Sequence, residues 1–372
     1  MGKRFLILGG AGFIGSHLAD ELLQHGHDVR IYDSLLPQVH GERGSWPAYV
    51  GAAIEMLQGD VRDKEALASA LEGVDGVFHL AARVGVGQSM YEIEDYVAAN
   101  ELGTAILLQL LSQRPVERLV VASSMSVYGE GLYRDREGKV VEAPRRLASQ
   151  LRGQRWDPLD ANGRPLEPVP TPETKTPDLA SVYALSKYAQ ERMCLMVGEA
   201  YGIATVALRL FNVFGSRQAL SNPYTGVLAI FAARLLNGRP AAVFEDGRQR
   251  RDFVHVRDVA RAFHLAMTTP AAAGQVLNVG SGRSYTVAEV ARLLAAALGR
   301  PGLAPEITGR ARTGDIRHCF ADIRRAREVL GFAPTAELET DLDELVDWLD
   351  GQRAEDRVGQ ATAELERRGL VA

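Results

Sequence analysis

The chain has 372 residues, 46% hydrophobic and 24% charged, with a net charge of −5. That make-up suits one large globular domain or two intimate ones, and the absence of a basic block argues against nucleic acid as a partner. No apolar run reaches the roughly 18 residues of a membrane span, the glycine-broken start Phe5–Ile14 is no signal peptide, and two cysteines (Cys194, Cys319) suggest neither a disulfide framework nor a structural zinc site. The expectation is a cytoplasmic protein with no membrane partner and no metal.

In chain order, Arg4–Leu8 reads as a buried strand and Ile14–Gln24 as an amphipathic helix stopped by Gly26. Val29–Tyr32, Ile54–Leu57, Gly76–Leu80, Leu119–Ala122 and Ala204–Leu208 continue the strands. Helical stretches at Asp63–Leu71, Ile93–Gln113 and Ser181–Tyr201 lie between them. Strands alternating with helices imply a parallel sheet covered on both faces. The second half is mixed: strands at Asp252–Val256 and Gln275–Val279, helices at Asp258–Met267, Thr286–Leu298 and 339–350, and a charged tail helix. Thr286-x-x-Glu289 is a capping box. Residues 130–175 break the rhythm, with seven prolines or glycines in Gly153–Pro172. The segment is either a disordered surface insertion or a lid over the substrate.

Gly9-x-x-Gly12-Phe13-Ile14-Gly15 follows a strand and opens a helix. Gly9 suits a tight turn, Gly12 the approach of backbone to a pyrophosphate, and Gly15 close helix–strand packing. Asp33 ends the second strand, where a carboxylate accepts the adenosine ribose hydroxyls and repels a 2′-phosphate, and Ser34 follows it without an arginine. NAD is therefore favoured over NADP. Asp60-Val61 falls where the edge of adenine would lie, and Leu80-Ala81-Ala82 offers small residues against the cofactor.

Tyr183 and Lys187 share one helix face at i and i+4. An ammonium and a cationic ring near a phenol favour the phenolate, and bringing its pKa from about 10 to near 7 takes roughly 4 kcal/mol. Ser123-Ser124 closes the fifth strand, at the end of a parallel sheet where ligands bind. Ser124 can bond a substrate oxygen and share its proton with Tyr183.

These residues resemble the extended short-chain dehydrogenase/reductase family, specifically its nucleotide-sugar epimerases and dehydratases. The resemblance also rests on Asn100, Ser123–Gly129, Arg209–Gly215, Arg251–Val256 and Arg312–Asp315, and it spans nearly the whole chain. It implies an α/β fold: a doubly wound Rossmann sheet with a smaller mixed α/β C-terminal domain. The first would comprise 1–211, with 242–280 returning to it and the insertion at 130–175. The second, binding a nucleoside-diphosphate sugar, would comprise 212–241 and 281–350, followed by a tail helix at 351–372. The resemblance also places Asn100, Ser123, Phe211 and Val213 against NAD, and Ser124, Ser126, Asn212, Arg251, Arg312 and Asp315 against the substrate. Pocket shape around 83–90, 218–228 and the insertion would select that substrate. Members usually dimerise through helices matching Ile93–Gln113 and Ser181–Tyr201, with Leu102, Ile106, Leu107, Leu110 and Leu111 as candidate contacts.

Dehydratases of the family carry Asp-Glu after the strand-five Ser/Thr, acting at sugar C6 and C5, where this chain has Met125-Ser126. Methionine moves no proton, so water elimination is disfavoured. The expected activity is an isomerase, a nucleotide-sugar 4-epimerase: Tyr183 takes the C4 hydroxyl proton, hydride passes to NAD, and it returns to the other face of the 4-keto sugar. Segments Asp33–Gly41, Ser124–Tyr133 and Gln218–Gly226 resemble the dTDP-L-rhamnose 4-epimerase branch. A UDP-hexose or UDP-hexuronate 4-epimerase is the alternative, followed by a 4,6-dehydratase and a catalytically silent NAD-binding regulator.

Overall fold

The computed structural model describes residues 2–41, 44–219, 226–311, 315–350, 363–364 and 366–369. Seven strands form one parallel sheet: β1 (Arg4–Leu8), β2 (Asp28–Asp33), β3 (Glu55–Gln58), β4 (Gly76–His79), β5 (Arg118–Ser124), β6 (Ala204–Leu210) and β7 (Val276–Val279). Their order is β7-β6-β5-β4-β1-β2-β3. The order reverses between β1 and β4, and ligands of such sheets bind outside the strand ends at that point. The turn after β1 and the segment Leu80–Ala82 after β4 both open there.

Alternate residues of β1 enter opposite cores. Phe5 and Ile7 pack with Leu18, Leu22 and Phe263; Leu6 and Leu8 pack with Leu107, Leu111 and Cys194. Burial on both faces explains the unbroken apolar run of the strand. A separate core gathers Phe214, Leu228, Phe231, Phe253, Leu294 and Leu345 from the second half of the chain. It contains two elements absent from the sequence reading, the helix Val227–Leu236 and the strand Asn212–Phe214. The helix is apolar except for Arg234 and so shows little face contrast, and a three-residue strand is too short for a period.

Local signals set the helix ends. Ser181 caps the helix Val182–Tyr201 by accepting the Ala184 N–H, and Gly202 closes it in the left-handed conformation. The Thr286–Glu289 capping box is formed. The single helix expected over Ile93–Gln113 is instead interrupted by a π-helical stretch, Val97–Leu102. Among the described residues no helix is long and apolar enough to cross a membrane. Most of the tail at 351–372 lies outside the described residues.

The insertion is ordered, contrary to the disordered alternative. Leu132–Arg134 pairs antiparallel with Val140–Glu142 and Glu167–Val169, and Tyr133 and Thr171 are fully buried. Its anchor is Arg317, which has no exposed surface. The guanidinium donates to Asp157 (2.8 Å), Glu245 (2.9 Å) and Asp246 (2.6 and 3.0 Å). Arg146 of the insertion reaches the same Glu245 at 2.7 Å. The insertion is thus fastened to the second core by charge inside the protein. Removing one partner of such a pair leaves a buried charge uncompensated and costs about 3–5 kcal/mol. Arg317→Met is expected to lower the unfolding free energy from urea titration by that order, with the midpoint falling accordingly, and an unchanged midpoint would remove Arg317 from this role.

Candidate active site

A cleft of about 1420 Å³ runs from the turn after β1, past the ends of β4 and β5, into the second core. Close packing shapes its floor. Gly9 has φ +77°, and a Cβ there would come within 2.9 Å of the Ala81 backbone. A Cβ on Gly15 would come within 2.5 Å of the Gly9 carbonyl oxygen. The helix Phe13–Gln24 begins at Gly12 with no side-chain cap, so its first N–H groups open onto the cleft. A helix N-terminus of this kind fits a pyrophosphate.

Asp33 lines the same floor and also braces it. Its carboxylate accepts the Ala11 N–H at 3.0 Å and the Leu35 N–H at 2.9 Å, with His40 Nε2 3.7 Å away. Carboxylate oxygens retain further acceptor capacity for a ribose hydroxyl. Asp60 and Val61 line the cleft, but the Asp60 carboxylate is engaged by Arg62 at 2.7 and 2.9 Å. This pairing pulls the Asp60 carboxyl below its usual range. Phe13, Ile14, Ser34, Leu80, Ala81, Ala82, Phe211 and Val213 also line the cleft.

Two expected cofactor contacts differ in the structure. Asn100 is fully buried and does not line the cleft; it accepts the Arg83 N–H at 2.7 Å and donates to Ser186 at 2.9 Å. It fixes the Ala81–Arg83 segment from behind, on the π-helical stretch. Ser123 lies at the cleft, yet its hydroxyl donates away from it to Glu191 (2.7 Å), itself paired with Arg209.

The chemistry converges at the end of β5. The Ser124 hydroxyl and the Tyr183 phenol both line the cleft here. The Ser124 hydroxyl accepts the Ser126 N–H at 3.1 Å. Ser89 accepts the Tyr183 N–H at 3.0 Å, docking the 85–90 loop on this helix start. Burial pushes the phenol up and the neighbouring Ser124 hydroxyl pulls it down. The Lys187 ammonium donates to Gln190 at 2.7 Å. Gln190 in turn bonds Thr104 at 2.9 Å and lies 3.2 Å from His79 Nε2.

On the opposite wall, Ser126 Oγ is buried without a partner and faces the cleft, as is Gln218 Oε1. Unpartnered buried oxygens fit a polar ligand. Asn212, Arg251 and Asp315 line this wall. Arg251 donates to the carbonyls of Arg250 (2.9 Å), Arg317 (3.0 Å) and Ile316, so only part of its fork is left for a phosphate. Arg312 lies outside the described residues. The sequence reading overlooked His40, Arg62 and Gln249, and it did not single out Ala143–Arg146, by which the insertion joins the wall.

The family model described as NAD dependent epimerase/dehydratase matches residues 5–148 and 161–280. The chain belongs to that family. It is an epimerase-type enzyme whose cofactor is NAD. A dTDP-L-rhamnose 4-epimerase of Burkholderia thailandensis is 33% identical over 361 residues, covering 94% of this chain and 95% of that protein. A UDP-glucose 4-epimerase of Mycolicibacterium smegmatis is 32% identical, covering 93% and 98%. The solved structure of a Thermus thermophilus UDP-glucose 4-epimerase complex with NAD superposes with a TM-score of 0.73, is 31% identical, and is matched over 94% of this chain and 100% of that one. The unmatched stretch 149–160 falls within the insertion.

Lys187 carries an energetic cost in the protein alone. Burial pushes its ammonium down from 10.5 to about 8. The unfolded chain therefore holds this proton more tightly than the fold does. The unfavourable contribution is complete below the folded value and fades as pH rises toward the unfolded one. It amounts to roughly 3 kcal/mol, against about 1 kcal/mol for the bond to Gln190. Without cofactor, Lys187→Met is expected to melt higher than the parent at pH 7, with the gap closing by about pH 10. A lower Tm at pH 7 in scanning calorimetry would overturn this account.

Proposed function

We propose that this enzyme is a nucleotide-sugar 4-epimerase with Tyr183 as its base, Ser124 as the partner of that base, and Lys187 as the holder of the nicotinamide ribose. The convergence of Ser124, Tyr183 and Lys187 on the cofactor cleft supports this reading. Ser124 orients the phenol and offers a second contact to the same sugar oxygen. Tyr183 takes the C4 hydroxyl proton and returns it after the 4-keto sugar has turned over. Lys187 lies buried one helical turn beyond, in position to bias the phenol toward its charged form. Bound NAD supplies a hydride acceptor that is restored in each cycle.

Elimination of water is disfavoured by the groups beside Ser124. Met125 is buried, with its sulfur 3.7 Å from Asn212 Nδ2. Glu130, the first carboxylate after Ser124, accepts from the Tyr133 hydroxyl (2.5 Å) and from the Arg317 and His318 N–H groups (2.9 and 2.6 Å). Those bonds fix it as a structural acceptor.

For the substrate, the proposal is a dTDP-linked 6-deoxyhexose such as dTDP-L-rhamnose. The relative at 33% identity supports this, and an apolar Met125 suits a methyl group at C6. A UDP-hexose is the second reading, supported by the relatives named UDP-glucose 4-epimerases. NMR of dTDP-, UDP-, GDP- and CDP-sugars incubated with the enzyme should reveal inversion at C4 for the dTDP-deoxyhexose. Inversion of UDP-glucose alone would select the second reading. Tyr183→Phe is expected to lose about 10²–10⁴-fold in kcat while still binding NAD, and full turnover in that variant would defeat the mechanism.

The active form is proposed to be a homodimer. Leu107 and Leu111 belong to the subunit core, unlike Leu102, which is 51% exposed. Leu102, Ile93, Leu185 and Met196 leave large apolar surfaces on the helices Gly103–Gln113 and Val182–Tyr201 and the turns that lead into the first. Leu185→Glu is expected to shift the sedimentation coefficient to that of a monomer, whereas a parent that already sediments as a monomer would refute the dimer.

A further inference from the structure

Away from the cleft, three of the eight histidines of the chain meet at the far end of the helix Phe13–Gln24. The His25 and His264 ring centroids are 3.9 Å apart, and those of His27 and His264 are 5.7 Å apart. Glu21, one turn before His25, brings a carboxylate to the same point. The ligand atoms of Glu21, His25 and His264 all lie within 4.8 Å of one another. His264 comes from the neighbouring helix Val256–Thr268, so the set bridges two elements.

The hydrogen bonds sort the rings by role. His25 Nδ1 is 2.9 Å from the Glu21 carbonyl oxygen. A carbonyl only accepts, so Nδ1 carries the proton and Nε2 presents its lone pair. Histidine ligands of metals characteristically donate their other N–H in this way, which fixes ring and tautomer. His27 Nδ1 accepts the Lys3 N–H at 3.3 Å, which leaves its proton on Nε2 and its ring outside the ligand set.

We propose that Glu21, His25 and His264 form a binding site for a divalent transition-metal ion of the zinc class, clamping the cofactor-binding helix to the helix Val256–Thr268. Two imidazoles and a carboxylate are a zinc-type ligand set that leaves a fourth position for water. Bonds of about 2.0–2.2 Å place tetrahedral ligands about 3.4 Å apart, so closure needs about an ångström of side-chain movement. The exposed side of His25 provides the route of entry. The site lies at the other end of the helix from Gly12, about 18 Å away at 1.5 Å per residue. It therefore acts on stability and leaves the chemistry alone. The sequence reading looked for metal through cysteines and could not see it, because His25 and His264 meet only in the fold.

The test uses the full-length chain, freed of any histidine tag, with zinc chloride as the probe. Isothermal titration should give one ion per chain, and zinc should raise Tm by about 2–4 °C. His264→Ala and His25→Ala should each weaken binding at least about tenfold and abolish the Tm rise. His27→Ala should retain both, and epimerase activity of His264→Ala should match the parent. Equal zinc uptake and an equal Tm rise in His264→Ala and parent would overturn the site. So would the absence of any zinc uptake by the parent.

Discussion

The separation between the helix Phe13–Gln24 and the sheet is set by two missing side chains. At Gly9 and Gly15 a single added carbon would collide with backbone, 2.9 Å from Ala81 and 2.5 Å from the Gly9 oxygen. Backbone cannot give way as a flexible side chain can, so a substitution would push the helix outward. The uncapped N–H groups at Gly12 would then lose their position over the cleft. Asp33 reinforces the same contact from the second strand by accepting the Ala11 N–H. A carboxylate read from sequence as a ribose acceptor is also a brace, and the two roles are compatible because each oxygen accepts more than one bond.

A second constraint is electrostatic. Lys187, only 3% exposed, is held charged against its burial by Gln190, which is held in turn by Thr104 beside a His79 that burial and Lys187 push down to about 3. This chain of polar groups keeps the ammonium in one orientation before any ligand arrives. The arrangement sacrifices stability for orientation, as functional sites commonly do. It also changes the account of Tyr183. In the protein alone the phenol is raised by burial, and Ser124 is the neighbour that lowers it.

The central sheet was legible in the sequence because its strands are short apolar runs alternating with amphipathic helices. Bounds shifted by a residue or two, as at Lys64–Ala70, where Asp63 serves as the cap. Residues of the turn Gly9–Gly15, with Ser124, Tyr183, Asn212 and Arg251, line the cleft, each at a strand end or on a helix face that the sequence pattern marks. Asn100 lies behind the cleft and holds Arg83, since sequence cannot tell a residue that touches a ligand from one that holds the backbone touching it. The break at Val97–Leu102 was invisible, since a π-helical stretch uses the same residues as an α-helix. The helix Val227–Leu236 went unseen because its surroundings bury it on nearly every side.

The insertion shows how a segment without periodicity can still be rigid. Its order comes from polar bonds to residues distant in sequence. Gly131 N–H reaches the His318 carbonyl at 2.8 Å, Thr171 N–H reaches that of Phe320 at 2.8 Å, and Asp157 pairs with Arg317. None of these partners is marked in a local pattern. The buried charge at Arg317 fastens the segment, and its side toward the cleft matches the alternative of a cover over the substrate. Ala143–Arg146 form a fixed part of the cleft wall, opposite the cofactor turn. Leu151, in the stretch 149–160 that the family model does not match, lines the same cleft. A wall held in this way keeps its polar side chains in place against the cleft before any ligand arrives.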